Sequence, residues 1–185
     1  MRNTTKTHTG MIVSDTDLSL EYLYVGDYGK ENNIKADFLD YTKRIEEVKH
    51  KDVNLADKLV VTISTQKGCP MKCHFCDCPK FGFKGNISLC ELLSQVTTAI
   101  SLSGLSRGER LNLHFARMGE PTFNQNIIRC ANLVGEIVSP YFTEYHPVVS
   151  TMMPRSNKNL VDFLHLWVKN GHAYGGEDGY GLQFS

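Results

Sequence analysis

Segments with the pattern of β-strands alternate with segments of helical period over most of this chain. Strands are predicted at 58–64, 111–116, 147–150 and 180–185, where β-branched or alternating apolar residues precede turn residues. A strand followed by a helix and a second strand forms a right-handed crossover, and a series of these units builds a parallel sheet. The sequence therefore predicts an α/β fold, a partial (βα) barrel with functional loops at the carboxyl ends of its strands.

Three helices are predicted between these strands. The first, 88–102, begins with the capping-box pattern Ser88-Leu-Cys-Glu91, and the second is expected to be capped by Asn124. The third, which contains Trp167, is expected to end at Asn170-Gly171, a frequent signal for the end of a helix. No helix follows the last predicted strand, so we expect a barrel that is truncated after its fourth strand.

The N-terminal part of the chain lacks this regular alternation. A strand is predicted at 21–25, ending at Gly26, and the charged segment 43–49 is interpreted as the solvated face of a helix. We therefore predict an N-terminal extension, 1–57, followed by a core domain, 58–185.

Charge and hydropathy narrow the classes of function. The 20 basic residues balance 20 acidic ones, so no overall field attracts nucleic acid or a membrane surface, although a local basic face is compatible with this balance. There is no apolar run of about eighteen residues and no apolar segment of a secretory signal at the start. A cytoplasmic protein with no membrane partner is predicted, and nothing in the sequence indicates an oligomeric state.

Four of the six cysteines lie between residues 69 and 78. In a reducing compartment this crowding favours metal binding over disulfides. Cys69, Cys73 and Cys76 can converge on one metal centre, and three ligands would leave one iron of a cubane cluster open. A structural zinc site that adds Cys78 as the fourth ligand is the alternative.

Two further cysteines and the loop after the second predicted strand are the remaining candidates for a functional role. Cys90 and Cys130 fall within predicted helices, where a free cysteine is usually a small buried apolar residue. After the strand 111–116, Gly119 lets the backbone approach a ligand, and the carboxylate of Glu120 can accept a hydrogen bond from an ammonium group.

The spacing Cys69-x3-Cys73-x2-Cys76, with Phe75 before the last cysteine, resembles the signature of the radical SAM superfamily. The resemblance implies a [4Fe–4S] cluster on these cysteines, whose open iron binds S-adenosylmethionine and whose electron breaks the C5′–S bond to release a 5′-deoxyadenosyl radical. It places Phe75 near the adenine or ribose. The alternative is a buried ring that only packs the loop, and the two roles are compatible. It also gives the Gly119-Glu120 loop the role of binding the methionine amino group.

Further motifs are similar to those of the ribosomal RNA adenine C-2 methyltransferases and their C-8 relatives over about 59–185. They are Ser64-Thr-Gln-Lys-Gly-Cys69, Gly82-Phe, Met118-Gly-Glu-Pro121 and Ser150-Thr151. The resemblance implies that Ser150 and Ser185 also contact S-adenosylmethionine. It implies RNA as the substrate and an electron donor such as flavodoxin or ferredoxin as a partner. No residue is assigned to methyl transfer itself, because Cys78, Cys90 and Cys130 match neither of the two cysteines which that step needs.

The function predicted from these residues is reductive cleavage of S-adenosylmethionine by a radical SAM enzyme, with adenine methylation in RNA as its use. Two alternatives stay open. One is a radical SAM enzyme that acts on a small molecule, as the deazaguanine synthases do. The other is a non-catalytic zinc or iron–sulfur binding module, which metal analysis would separate from the first two.

Overall fold

A computed structural model of the chain describes residues 1–6, 10–16, 20–26, 54–174 and 179–184. The strands are β1 Arg2–Lys6, β2 Gly10–Asp15, β3 Leu20–Gly26, β4 Lys58–Ile63, β5 Gln66–Gly68, β6 Phe83–Asn86, β7 Gly108–Phe115, β8 Phe142–Thr151 and β9 Gly181–Phe184. The α-helices are α1 Leu89–Ser103, α2 Asn126–Val138 and α3 Leu160–Tyr174, and two short 3-10 helices span Cys78–Phe81 and Pro121–Phe123.

The described strands form a seven-stranded sheet of order β1-β2-β3-β4-β7-β8-β9 and a separate ribbon of β5 and β6. Strands β4, β7, β8 and β9 are parallel, with Ile63 beside Phe115, Phe115 beside Val149 and Val149 beside Leu182. An α-helix lies between each consecutive pair of these four strands. The predicted α/β fold is thus confirmed, and the carboxyl ends of the four strands meet at one edge of the sheet.

The N-terminal strands extend the same sheet. β3 contains the predicted strand 21–25 and pairs antiparallel with β4, while β1 and β2 were not predicted. β1 carries no strand signal in the sequence, because all five of its residues are polar and exposed and no apolar residue marks a buried face. The seven-stranded sheet contains strands from both sides of residue 57. The division into an N-terminal extension, 1–57, and a core domain, 58–185, stays a prediction. The charged segment 43–49 lies outside the described residues.

The hydrophobic core lies between the sheet and the helices. On α3, the buried ring of Trp167 stacks on Phe163 at 6.2 Å between centroids and meets Phe115 of β7 edge-on at 6.0 Å. The Trp167 Nε1 donates to the carbonyl of Gly181 at 3.0 Å, which fastens β9 to α3. The six fully buried core residues of β4 and β7 are Leu59, Val61, Ile63, Leu111, Leu113 and Phe115.

The starts of α1 and α2 follow the sequence signals, whereas the end of α3 departs from them. The capping box of α1 is confirmed, since the Ser88 hydroxyl accepts from the Glu91 amide and the Glu91 carboxylate accepts from the Ser88 amide. The predicted capping of α2 by Asn124 is confirmed by its hydrogen bonding, since Asn124 has an extended backbone and its Oδ1 accepts from the Asn126 amide at 3.1 Å, although the helix itself spans Asn126–Val138.

Helix α3 does not end at Gly171 but continues to Tyr174. A Cβ on Gly171 would lie 2.7 Å from the Tyr180 backbone nitrogen, so this glycine serves close packing instead of ending the helix. Strand β8 is also longer than predicted, since polar residues at its beginning hide the strand pattern. Within the described part of the chain, no helix is long and apolar enough to cross a membrane.

Candidate functional site

The cysteine loop, residues 69–78, leaves the end of β5 and leads into the 3-10 helix Cys78–Phe81. The residue before the loop is Gly68, which has φ +74°. A Cβ added there would lie 1.5 Å from the carbonyl oxygen of Gly82. Any side chain at this position would therefore push β5 and the start of β6 apart. Within the loop, the Cys76 amide donates to the Cys73 carbonyl at 3.2 Å, forming a turn that brings the two residues together.

The cysteine loop faces the carboxyl ends of β7 and β8 across a cavity of about 140 Å³. Ser185, the remaining predicted site residue, lies outside the described residues. The predicted residues that line the cavity are Cys69, Cys73, Phe75, Cys76, Gly119, Glu120 and Ser150. Three distant parts of the chain are thus brought to one place.

The thiols of Cys69, Cys73 and Cys76 are half-buried, and none of them is in a disulfide. Burial raises the pKa of Cys69, and the neighbouring Cys73, Cys76 and Glu120 add to this. Cys78 also lines the cavity, and burial together with a hydrogen bond to Cys76 raises its pKa to about 12. Both shifts oppose the thiolate that a metal requires, so metal binding at this loop would release protons.

Among the residues that the structure describes, no three His, Cys, Asp or Glu side chains stand together as a ready metal-ligand group. The chemistry of the donors nevertheless fits an iron–sulfur cluster, because three thiols from one short loop line a single cavity.

The Gly119-Glu120 loop is held against the residues that precede the cysteine loop by hydrogen bonds to Met118. The carbonyl of Met118 accepts from the amides of Thr65 at 2.8 Å and Gln66 at 3.2 Å, and the Gly68 amide donates to the Met118 Sδ at 3.0 Å. Gly119 has φ +104°, and a Cβ there would lie 2.6 Å from the Gln66 Cβ. Only glycine therefore fits between this loop and β5.

The carboxylate of Glu120 is buried, with 3% of the residue exposed, and it accepts four hydrogen bonds from the protein. Its Oε1 accepts from the Thr122 amide at 3.2 Å, the Thr122 hydroxyl at 2.7 Å and the Thr151 hydroxyl at 2.6 Å. Its Oε2 accepts from the Met152 amide at 3.0 Å. These bonds tie the ends of β7 and β8 together, and Oε2 keeps capacity for a further donor.

Gln66 is a site residue that the sequence did not indicate. It is fully buried, and its Oε1 accepts from the Glu120 amide at 2.8 Å while its Nε2 donates to the Asn86 Oδ1 at 2.7 Å. The signal that could have revealed it is the buried polar run Ser64-Thr-Gln66, placed directly between an apolar strand and the cysteine loop. Buried polar side chains are retained where their hydrogen bonds position something else.

The structure also tests whether Phe75, Cys90 and Cys130 are buried, and it shows the hydrogen bonding of Ser150. Phe75 is 79% exposed, so the alternative of a buried ring that packs the loop is wrong. Cys130 is buried as predicted, but Cys90 is exposed in the first turn of α1. The Ser150 hydroxyl donates to the Gln183 Oε1 at 3.2 Å, which joins the ends of β8 and β9 at the cavity.

The parts of the site follow the same order along the chain as the strands that carry them. A three-cysteine loop follows the first parallel strand and its short ribbon strand, a Gly-Glu loop follows the second parallel strand, and a serine on the third completes the cavity. This is the arrangement implied by the radical SAM resemblance.

The curated relatives that match this chain are named as RNA methyltransferases. The dual-specificity RNA methyltransferase RlmN of Wolinella succinogenes is 30% identical over 96 residues, which cover 51% of this chain and 27% of the relative. A probable RlmN of a Synechococcus species is 39% identical over 74 residues, covering 40% and 20%. One from a Mycobacterium species, strain KMS, is 38% identical over 95 residues, covering 46% and 25%. The predicted resemblance to the ribosomal RNA adenine methyltransferases of the radical SAM superfamily is confirmed.

The chain spans only 20% to 27% of the length of these three relatives. No family model matches the chain. Among solved structures, a radical SAM methyltransferase from Sphaerobacter thermophilus aligns with 100% of this chain and 57% of its own chain, with a TM-score of 0.48 and 14% identity.

Proposed function

We propose that this chain holds a [4Fe–4S] cluster on Cys69, Cys73 and Cys76 and cleaves S-adenosylmethionine reductively. The observation that supports the proposal most is the single cavity on which these three thiols meet Glu120 and Ser150. When bound, the cluster supplies the electron for cleavage of the C5′–S bond. The residues of the chain bind the reactant, orient it and limit the access of water.

Each lining residue has a distinct part in this proposal. The Glu120 Oε2, which accepts one hydrogen bond from the protein, receives a second from the ammonium of the methionine moiety. Gly119 lets that moiety approach the backbone, and Ser150 contacts the cofactor from the end of β8. The exposed ring of Phe75 covers the adenine or ribose. Ser185 is proposed as a further contact to S-adenosylmethionine.

RNA is the proposed substrate, with methylation of an adenine as the overall reaction and a flavodoxin or ferredoxin as the electron donor. The names of the three relatives, all RNA methyltransferases, support this choice over a small-molecule substrate. A small-molecule enzyme of the deazaguanine synthase type would bind single-stranded RNA weakly and show no product in it.

Anaerobic reconstitution with iron and sulfide is expected to yield about four irons per chain, because three cysteines suffice to hold a cubane cluster. Reduction in the presence of S-adenosylmethionine should then form 5′-deoxyadenosine. Cys73→Ala should retain less than about one iron and form no 5′-deoxyadenosine. Cys90→Ala is the matched control, because this exposed thiol lies on α1 outside the cavity and its loss should change neither quantity.

Equal iron content in the Cys73 and Cys90 variants would contradict the assigned ligands. One tightly bound zinc per chain and no 5′-deoxyadenosine would instead support the zinc module, with Cys78 as a fourth thiol. Circular dichroism of each variant separates loss of the cluster from loss of the fold.

A further inference from the structure

Three phenylalanine rings are exposed beside the cavity. Phe75 is 79% exposed, Phe81 64% and Phe83 50%. The last two belong to the segment Lys80-Phe-Gly-Phe-Lys84, in which all five residues are exposed. Apolar rings of this size normally contribute to a core, so their grouping outside it indicates a contact surface. We name residues 80–84 the aromatic surface; Phe75, which covers the cofactor in the proposed function, adjoins this surface from the cavity side.

The position of this surface relative to the cavity is determined by the backbone. Phe83 pairs with Gly68, the residue before the cysteine loop, and the Gly82 carbonyl occupies the space where a Cβ of Gly68 would lie. Phe75 belongs to the loop itself and lines the cavity. The aromatic surface is therefore attached to the cavity, beside the atoms on which the proposed chemistry depends.

The charge around the rings is positive, although the whole chain is neutral. Lys72, Lys80 and Lys84 are exposed, and the only acidic residue between positions 69 and 86 is Asp77, which is paired with Lys80. Neither Lys72 nor Lys84 makes an ion pair with a described residue. Exposed rings interleaved with lysines match the chemistry of a strand that carries both flat bases and phosphates.

We propose that the aromatic surface is a stacking platform for single-stranded RNA that delivers a base to the cavity. This inference rests on the proposed function and adds to it the surface on which the substrate binds. Unpaired bases stack on exposed rings, whereas a duplex keeps its bases stacked on each other. A protein partner of ordinary affinity would bury an apolar centre depleted of lysine, and here lysines flank the rings on both sides.

The test measures fluorescence anisotropy with a labelled, unstructured RNA of about 15 nucleotides, a length that spans one binding groove. The double variant Phe81→Ala, Phe83→Ala should bind this RNA at least about tenfold more weakly, since each lost base stack reduces affinity severalfold or more. Tyr141→Ala is the matched control, because Tyr141 is 53% exposed and precedes β8 at the opposite edge of the sheet. Binding of a duplex of the same length should be equal in all three proteins.

Salt dependence tests the lysines separately. The double variant Lys72→Ala, Lys84→Ala, which removes the two exposed lysines that form no ion pair with a described residue, should lower the slope of log affinity against log salt by about 1.4, since each phosphate contact on a single strand contributes about 0.7. Lys158→Ala, Lys169→Ala removes two exposed lysines far from the aromatic surface in sequence and should leave the slope unchanged.

Unchanged RNA affinity in the double phenylalanine variant would overturn the proposal. Light scattering that shows a wild-type oligomer and a monomeric phenylalanine variant would also overturn it, in favour of a contact between copies of the chain. Formation of 5′-deoxyadenosine without RNA is measured on the same proteins. If the wild type binds RNA through these rings but forms no 5′-deoxyadenosine, the proposed function fails while the assignment of the surface stands.

Discussion

Replacing Glu120 with alanine is expected to lower the free energy of unfolding by about 3 kcal/mol or more, because each buried donor left unpaired costs about 1–3 kcal/mol. The donors are the amide and hydroxyl of Thr122, the hydroxyl of Thr151 and the amide of Met152. This loss is a large share of the stability of an ordinary domain. Urea unfolding of the variant and of Glu136→Ala, which removes an exposed acid on α2, measures it.

Glu120→Gln separates binding from structure. The amide keeps the shape of the side chain and one acceptor, so we expect a smaller stability loss of about 2 kcal/mol. The affinity for S-adenosylmethionine should still fall by about tenfold or more, because a hydrogen bond from the ammonium to a charged acceptor is worth about 1.5–3 kcal/mol. Equilibrium dialysis on the reconstituted protein gives the affinity. Wild-type affinity in this variant would mean that Glu120 only ties the strand ends together.

Replacing Gly119 with alanine is expected to cost about 3 kcal/mol, the sum of a positive φ and an overlap with rigid neighbours. The new Cβ would lie 2.6 Å from the Gln66 Cβ and 2.8 Å from its backbone nitrogen, so neither contact can be relieved by turning a flexible side chain. The loop must therefore move away from β5 and lose the hydrogen bonds to the Met118 carbonyl. Formation of 5′-deoxyadenosine should fall with it, since the cavity is lined by both loops.

Gly104→Ala provides the matched control for this variant. Gly104 has φ +72° at the end of α1, but a Cβ there would meet nothing within 4 Å. The control therefore isolates the backbone cost, about 1–2 kcal/mol. Equal stability losses in the two variants would show that the contact with Gln66 contributes nothing.

Local signals made part of the fold and site predictable. The capping box of α1 works through residues three positions apart, and the four parallel strands carry their own apolar pattern. The cysteine spacing lies within eight residues, and Gly119-Glu120 follows directly on a predicted strand. Each of these features is encoded by neighbours in sequence, so no tertiary contact is needed to recognise it.

Long-range contacts explain what could not be predicted. Gly171 resembles a helix stop, but the approach of Tyr180 makes it a packing position inside α3. Strand β1 has no periodic signal because its pairing with β2, and not the burial of its side chains, places it in the sheet. Whether a side chain is exposed also depends on contacts with distant segments. For this reason the prediction that Cys90 is buried and the alternative of a buried Phe75 were both wrong.

By itself, the sequence determined the order of the four parallel strands and the helices between them, the residue types of the site and the radical SAM resemblance, because all three depend on short segments. The tertiary structure decided how those residues meet. It set Gln66 against the amide of Glu120 and Thr151 against its carboxylate, across 54 and 31 positions of the chain. It also left the aromatic surface outside the core, beside the cavity. Packing of distant segments decides these relationships, and no short segment contains that information.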